Sequence, residues 1–545
     1  MELPEIGPEE RTPVVEALLG FIRQLLDVIA QQEETLRQLR DEIDRLKGQT
    51  RRPNLQPSRL ETPKADPPTG AKAEEKRPGS AKRPKTAELT IHREQLLHWD
   101  NAPAGATLRG YERYVVQDLR CEPFNTLFLR GRYDLPGGDS ALAPIPEGVL
   151  PVEGGHFGAT LVAFILAQYH QAQVTQPLLL VQLHHFGIDI SAGQLHRILS
   201  EQKEHFHQEK DEVRAAGLQT ASYIGTDDTG ARHQGKNGYC TVIGNDLFTY
   251  FESSPTKSRL NFLQVLHGSQ RIYAINDTTL EYWRRQQLAA ALVEKLSQPR
   301  QFPSEAAWQA HLAEVGIDNE RHLRIATEGA LLGGLIAAGV SSQLVVLSDG
   351  APQFVVLVHG ACWVHAERPL AKLVPHNEEH RSAIEQVRDD IWKLYQDMKA
   401  YGAQPDASQR PVLEVRFDAL VEQKTNYPSI NGPLKEWREH KADLLVALVR
   451  PEVPLHNNAM ESDIREFVKR RKISGGTRSN AGRRCRDTFA SLKKTCRKLG
   501  ICFWQYLNDR VRGLGKIARL ADLIRAKVQQ LGEPPAPIVG VPIAV

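Results

Sequence analysis

Leu18, Ile22, Leu25, Ile29, Leu36, Leu39, Ile43 and Leu46 recur in alternating steps of four and three, with Gln32 at the one polar seam position. That spacing keeps one stripe of a helix apolar and predicts a coiled coil over 14–48 that joins copies of the chain. The alternative is an amphipathic helix packed on its own protein. The pattern stops at 49–90, a Pro-, Lys- and Arg-rich stretch that cannot bury enough apolar surface to fold and reads as a flexible basic linker. Short alternating runs at 91–155 (TLRG, RYVVQDL, TLFLRGRYDL), broken by Gly and Pro, predict a small β-rich module. Helical periodicity follows from Gly158 to about Ala215, and a new β pattern begins at Tyr223. Residues 281–340 read as helical again. The strand-like QLVVLSD at 343–349 then leads into an α-rich remainder and a Pro-rich tail, 516–545.

Within the first helical stretch, TQPLLLVQLHHFGIDISAGQLHRILS (175–200) has the grammar of a helix-turn-helix. Thr175 and Pro177 open one helix, Gly187 breaks it, and Ser191 can cap the next. Leu195, Ile198 and Leu199 give the second helix its buried face. Gln194, His196 and Arg197 then point outward, where such side chains can meet base edges or phosphates. An ordinary helical hairpin is the bland alternative. His205 and His207 lie two apart on a helix, face different sides, and read as surface residues.

Charge and cysteine content change the picture only through their distribution. The formal charge is +3, but basic residues cluster at 49–86 and 465–498. Cys121, Cys240, Cys362, Cys485, Cys496 and Cys502 form no CxxC pair, which argues against a disulfide framework or a cysteine-rich zinc finger. The N-terminus carries no apolar signal segment, and the most apolar stretch, Ala330 to Val340, is too short and glycine-rich to span a bilayer. A reducing cytoplasm and no membrane partner are expected.

The chemistry-bearing pattern is acidic. YIGTDDTG (223–230) is a short apolar strand ending on carboxylates, and GYCTVIGN and LFTYFESS follow as two more strands before the helix KSRLNFLQVLHG. Three antiparallel strands and a helix, with an acid on the first strand, are how an RNase H-like nuclease core begins. VVLSDG ends in Asp349, and the helix in HNNAMESDIREFVKRRK (456–472) bears Glu461. Carboxylates from two strand ends and a helix can hold two hard divalent cations. Neighbours on a strand face opposite sides, so only one of Asp227 and Asp228 should point at such ions. Each signal alone is weak: strand-end aspartates often cap turns, and Glu461 could serve as a capping-box residue or pair with Arg465.

Four passages together resemble the insertion-sequence-66 family of transposases: PLLLVQLHHFGIDISAGQLHRIL, GTDDTGARHQGKNGYCTV, SDGAPQF with CWVHAERPL, and HNNAMESDIREFVKRRKISGG. The resemblance spans roughly 156–510 and implies a multidomain α+β chain. A helix-turn-helix domain (156–218) would precede an RNase H-like α/β catalytic domain (219–515) carrying a helical insertion at about 281–340. It implies the acidic triad known as DDE, falling on Asp227, Asp349 and Glu461. It further implies two Mg²⁺ ions, for which Mn²⁺ could substitute, and metal-dependent cleavage and strand transfer at transposon ends. Asp277, in RIYAIND, competes with Asp349 for the second position. The SDG context and the following CWVHAERPL favour Asp349. Zinc is not carried over, because only Cys121 precedes the helix-turn-helix.

Arg465, Lys469, Arg470, Arg471 and Lys472 could hold phosphates beside the metals, and His365 could take an accessory role. The implied partners are double-stranded DNA (terminal repeats and target), further copies of the chain, and accessory proteins of the same element. The implied location is the bacterial cytoplasm, at the nucleoid. Two other functions compete: a DNA-binding regulator or inactive domesticated transposase, and an RNase H-like structure-specific nuclease.

Overall fold

The computed structural model describes residues 155–532 continuously, together with residue 15 and, with short gaps, residues 89–151. The coiled coil predicted for 14–48, residue 15 apart, and nearly all of the linker lie outside the described residues. The chain divides into two units at 118/119. In the second, β1 (Arg132–Asp134) and β2 (Ser140–Leu142) pair as a short antiparallel hairpin. Apart from this hairpin, the described part of 91–155 carries no strand, which corrects the β-rich expectation. Its apolar side chains find no sheet face to cover: Phe124 is 93% exposed and Leu129 89%.

The centre of the fold is a five-stranded mixed sheet of β3 (Tyr223–Gly230), β4 (Tyr239–Gly244), β5 (Thr249–Ser254), β8 (Val345–Ser348) and β9 (Val358–Ala361). The strand order is β5-β4-β3-β8-β9, with β3, β4 and β5 antiparallel and β3, β8 and β9 parallel. Alternation along the strands decides what each face buries. Ile224, Ile243 and Tyr250 enter the large core shared with the helices before and after the sheet. Ala231, Cys240, Val242 and Phe251 pack on the opposite side against Met460, Ile464 and Phe467. Those three lie at i, i+4 and i+7 on the helix Asn458–Ser474, so one helical stripe seals that face.

Two helical insertions interrupt the sheet. Between β5 and β8 lie the helix Arg259–His267, a separate antiparallel pair of β6 (Tyr273–Ile275) and β7 (Arg300–Phe302), and four further helices that end with Glu320–Ala337. The insertion therefore begins before 281 and contains strands. The apolar, glycine-rich run near 330 packs tightly on β6: a Cβ on Gly334 would come within 1.9 Å of the Ile272 carbonyl oxygen. Between β9 and the helix Asn458–Ser474, a second helical subdomain runs from Trp363 to Val449 around its own core of Trp363, Tyr401, Phe417 and Trp437.

The helices Gln176–His185 and Ala192–Ser200 form the expected pair, joined through Gly187 at φ 77°. Ser191 and Gln194 close a reciprocal capping box, whereas the Thr175 side chain makes no cap hydrogen bond. His207 is not a surface residue. It is buried, its Nδ1 lies 2.7 Å from the Thr488 hydroxyl, and burial, followed by the charges of Arg484 and Lys210, pulls its pKa down to about 4. Residues 520–531 of the expected tail form a helix whose Leu520, Ala521 and Ile524 are buried.

Candidate active site

The sheet register brings two of the predicted acids together. Gly225 pairs with Leu347 across the parallel β3–β8 ladder, so two residues further on Asp227 stands beside Asp349. Adjacent strands lie about 5 Å apart. Asp227 falls on the face covered by the helix Asn458–Ser474, whose first turn carries Glu461. Asp228 projects to the other face, where Lys257 Nζ lies 2.9 Å from one carboxylate oxygen and Gln353 Nε2 donates at 3.0 Å to the other. Asp277 lies elsewhere. It opens the helix Asp277–Arg285 after β6, whose ladder partner is β7 and not the central sheet.

A buried asparagine sets the approach of the glutamate helix. Asn457 Nδ2 donates to the Thr226 carbonyl at 2.7 Å, and the backbone N–H of Asn457 donates to Cys362 Sγ at 3.4 Å. Gly225 leaves room for this: a Cβ there would sit 2.5 Å from Asn457 Oδ1 and 2.7 Å from Met460 Cγ. The CWVH segment braces the same corner. Trp363 N donates to the Leu455 carbonyl at 3.0 Å, and its indole N–H to Leu444 O at 2.8 Å. His365, two residues on, places Nε2 3.6 Å from Glu461 Oε1.

The electrostatics are those of crowded carboxylates. Burial, then repulsion from Asp349, Asp228 and Glu461, raises the Asp227 pKa to about 6 against an opposing hydrogen bond from the Asp228 N–H. Glu461 Oε1 is buried without a hydrogen-bond partner. Burial, then the charge of Arg368, lowers the His365 pKa and outweighs the pull of Glu461 and Asp349. Hard oxygen donors that repel one another, with one orphaned oxygen, suit a divalent cation by chemistry. As the side chains stand, no group of three or more His, Cys, Asp or Glu among the described residues is closed to metal-holding distance. Occupancy would therefore require side-chain movement.

Residues 352–484 match the family described as Transposase IS66 family. An uncharacterized protein named y4jO from Sinorhizobium fredii is 41% identical over 317 residues, which cover 57% of this chain and 99% of that protein. The chain belongs to the IS66 transposase family. The matched segment contains Glu461 and His365 and begins three residues after Asp349.

In this family member the predicted basic side chains divide. Arg465, Lys469 and Lys472 are exposed and share the helical stripe of Glu461, with Arg465 Nη2 3.7 Å from Glu461 Oε2. Arg470 instead turns away and lies 4.1 Å over the Tyr169 ring, and Arg471 donates to the Gly230 carbonyl and the Thr229 hydroxyl. Both side chains thus leave the Glu461 stripe, and Arg470 Nη1 and Nη2 are buried without a hydrogen-bond partner. In the paired helices His196 and Arg197 are exposed. Gln194 is engaged, because its Oε1 accepts from the Ser191 N–H at 2.9 Å. No helix among the described residues is long and apolar enough to cross a membrane. Sequence reasoning missed Asn457 and Gly225. The only advance signal was their place inside the family-like passages.

Proposed function

We propose that this IS66-family chain is a DDE-type DNA transposase with an RNase H-like catalytic core, cleaving transposon ends and joining them to target DNA. The observation that carries this reading is the register that sets Asp227 beside Asp349 under the helix bearing Glu461. Support also comes from the strand order, with three antiparallel strands followed by two parallel ones, as an RNase H-like core requires. Two Mg²⁺ ions held by Asp227, Asp349 and Glu461, with Mn²⁺ as substitute, would supply Lewis-acid stabilisation of the attacking and leaving oxygens.

The protein's own groups do the rest. Asp227 must be ionised to take a cation, and below its raised pKa of about 6 it holds a proton that the cation has to displace. His365 stands beside Glu461, Nε2 3.6 Å from Oε1, and Lys257 holds Asp228 away from the other acids. Arg465, Lys469 and Lys472 hold the backbone phosphates of bound DNA near Glu461. His196 and Arg197 read or grip the terminal repeats, with Gln194 limited to what its free amide hydrogens reach. Self-association through the N-terminal seam, accessory proteins of the same element, and a place at the nucleoid complete the reading.

The test is metal-dependent cleavage of terminal-repeat DNA. Asp227→Asn, Asp349→Asn and Glu461→Gln should each abolish cleavage while binding of ends persists, and Asp277→Asn should cleave normally. Wild-type cleavage by any of the first three removes that residue from the site. Loss of cleavage by folded Asp277→Asn, with Asp349→Asn active, reverses the choice of second acid.

A further inference from the structure

Behind the Asp349 turn lies a buried polar relay that none of the chemistry above uses. Ser348, the last residue of β8, is fully buried, and its hydroxyl lies 2.8 Å from His359 Nε2. The same hydroxyl accepts from the Gly350 N–H at 3.1 Å, folding the chain around Asp349. His359 sits on the edge strand β9 and is itself buried. Its Nδ1 lies 3.1 Å from Asp443 Oδ2, off ideal hydrogen-bond alignment. Asp443 belongs to the second helical subdomain, on the helix Lys441–Leu444 beside β9, where His440 Nδ1 also approaches it at 3.2 Å. The proton arrangement is self-consistent. An ionised Asp443 favours hydrogen on Nδ1, Nε2 then accepts from the Ser348 O–H, and the remaining serine lone pairs accept from Gly350.

We propose that His359 is a positioning residue that locks the Asp349 turn to the inserted helical subdomain through Ser348 on one side and Asp443 on the other. Asp349 is exposed, and its own carboxylate is fixed only by the Ala351 N–H at 3.1 Å. Its aim therefore depends on the backbone of residues 348–351. That backbone is held from the buried side by a hydroxyl whose orientation the imidazole sets. The subdomain from Trp363 to Val449 thus reaches the acids twice: through Asp443 and His359 at Asp349, and through the Trp363 N–H on the Leu455 carbonyl just ahead of the Glu461 helix. Groups one bond removed from a metal ligand typically change metal affinity or activity by 10–100-fold when removed.

This inference rests on Asp349 being a functional acid, so its test has one arm that needs no metal. Full-length Ser348→Ala, His359→Ala and Asp443→Asn are compared with wild type by backbone amide exchange over residues 348–351. They are compared in parallel by Mn²⁺ binding followed by electron paramagnetic resonance, and by cleavage of terminal-repeat DNA. The expected result is amide exchange at least about tenfold faster at the turn and Mn²⁺ affinity or kcat lowered about 10–100-fold, with DNA affinity unchanged. The Ser348→Ala and His359→Ala effects should also be non-additive in the double variant, as for two members of one relay. Should His359→Ala fail to fold, Ser348→Ala, which removes a single oxygen, decides alone. Wild-type exchange at 348–351 in folded Ser348→Ala or His359→Ala overturns the proposal. If wild-type protein binds no Mn²⁺, or Asp349→Asn binds it normally, the metal reading of Asp349 fails, and the exchange arm still decides the relay.

Discussion

A carboxylic acid whose pKa is raised to about 6 in the folded chain destabilises that chain wherever it is ionised. For Asp227 the sign follows from the unfolded value of about 4: the folded state binds the extra proton, so stability is greatest below that pH and falls as pH rises towards 6. Without divalent metal, Asp227→Asn should therefore raise the unfolding midpoint at pH 8 and leave it nearly unchanged at pH 4. A shift of about two units corresponds to about 3 kcal/mol, which partial solvent access reduces to the order of 1–2 kcal/mol. Thermal stabilisation by Mg²⁺ should strengthen from pH 5 to 7 as the retained proton is displaced. An equal gain for Asp227→Asn at both pH values would remove the charge strain from this residue. At this scale the sequence was legible where a local pattern ended: an apolar strand marked Asp227 and Asp349, and a helical stripe marked Glu461. Asn457 and His359 carried no such mark, because a lone polar residue acquires its meaning only from a partner distant in the chain.

At the scale of elements, the glutamate helix is positioned by a missing side chain and one buried amide. Gly225→Ala would drive a methyl group into Asn457 and Met460, with Met460 only 1% exposed and little room to yield. Overpacking of this kind costs about 1–3 kcal/mol, and Asn457→Ala, which leaves the Thr226 carbonyl without its buried donor, costs about the same. Both variants should lower the denaturant midpoint and reduce cleavage, while Arg465→Ala, on the exposed stripe, should weaken DNA binding with no loss of stability. A Gly225→Ala protein with native stability would show that the helix can slide without consequence. Element identity was read well wherever hydrophobic period was strong, as in β3, β4, β8 and the paired helices around Gly187. It was misread where a local pattern had no packing partner or too little length: the run 113–119 is strand-like in sequence yet stays exposed coil, with Tyr114 90% and Val116 74% exposed, and β7 is a strand of only three residues.

Across residues 119–545, the division into a DNA-binding part ending at 218 and a catalytic part beginning at 219 does not follow the packing. Leu179, Leu195, Phe206, Ile243, Phe489, Leu507 and Ile524 belong to one continuous core, so the paired helices, the sheet and the last helices share their apolar interior. The polar centre of that core is Glu209, fully buried on the helix Glu204–Thr220. Arg510 holds it with two hydrogen bonds of 2.8 and 2.9 Å, Tyr506 donates at 2.9 Å, and the Leu520 N–H donates at 3.1 Å. Burial alone would raise its pKa, but hydrogen bonds and charge from Arg510, with Leu520 and Arg519 assisting, hold the carboxyl below its ordinary range. Breaking a buried pair by removing one partner costs about 3–5 kcal/mol, because the remaining charge stays in an apolar site. Arg510→Met should therefore destabilise the chain by that amount, whereas Glu209→Gln with Arg510→Met together should recover part of it. Ending the chain at 515 strips Arg519 and Leu520 from Glu209 and exposes the groove that buried Leu520, Ala521 and Ile524. It should give a protein that binds terminal DNA poorly although Arg197 is untouched, and a fragment of 156–218 alone should not fold. Circular dichroism and end binding on these truncations decide the matter: a folded, DNA-binding 156–218 fragment would restore an independent helix-turn-helix domain.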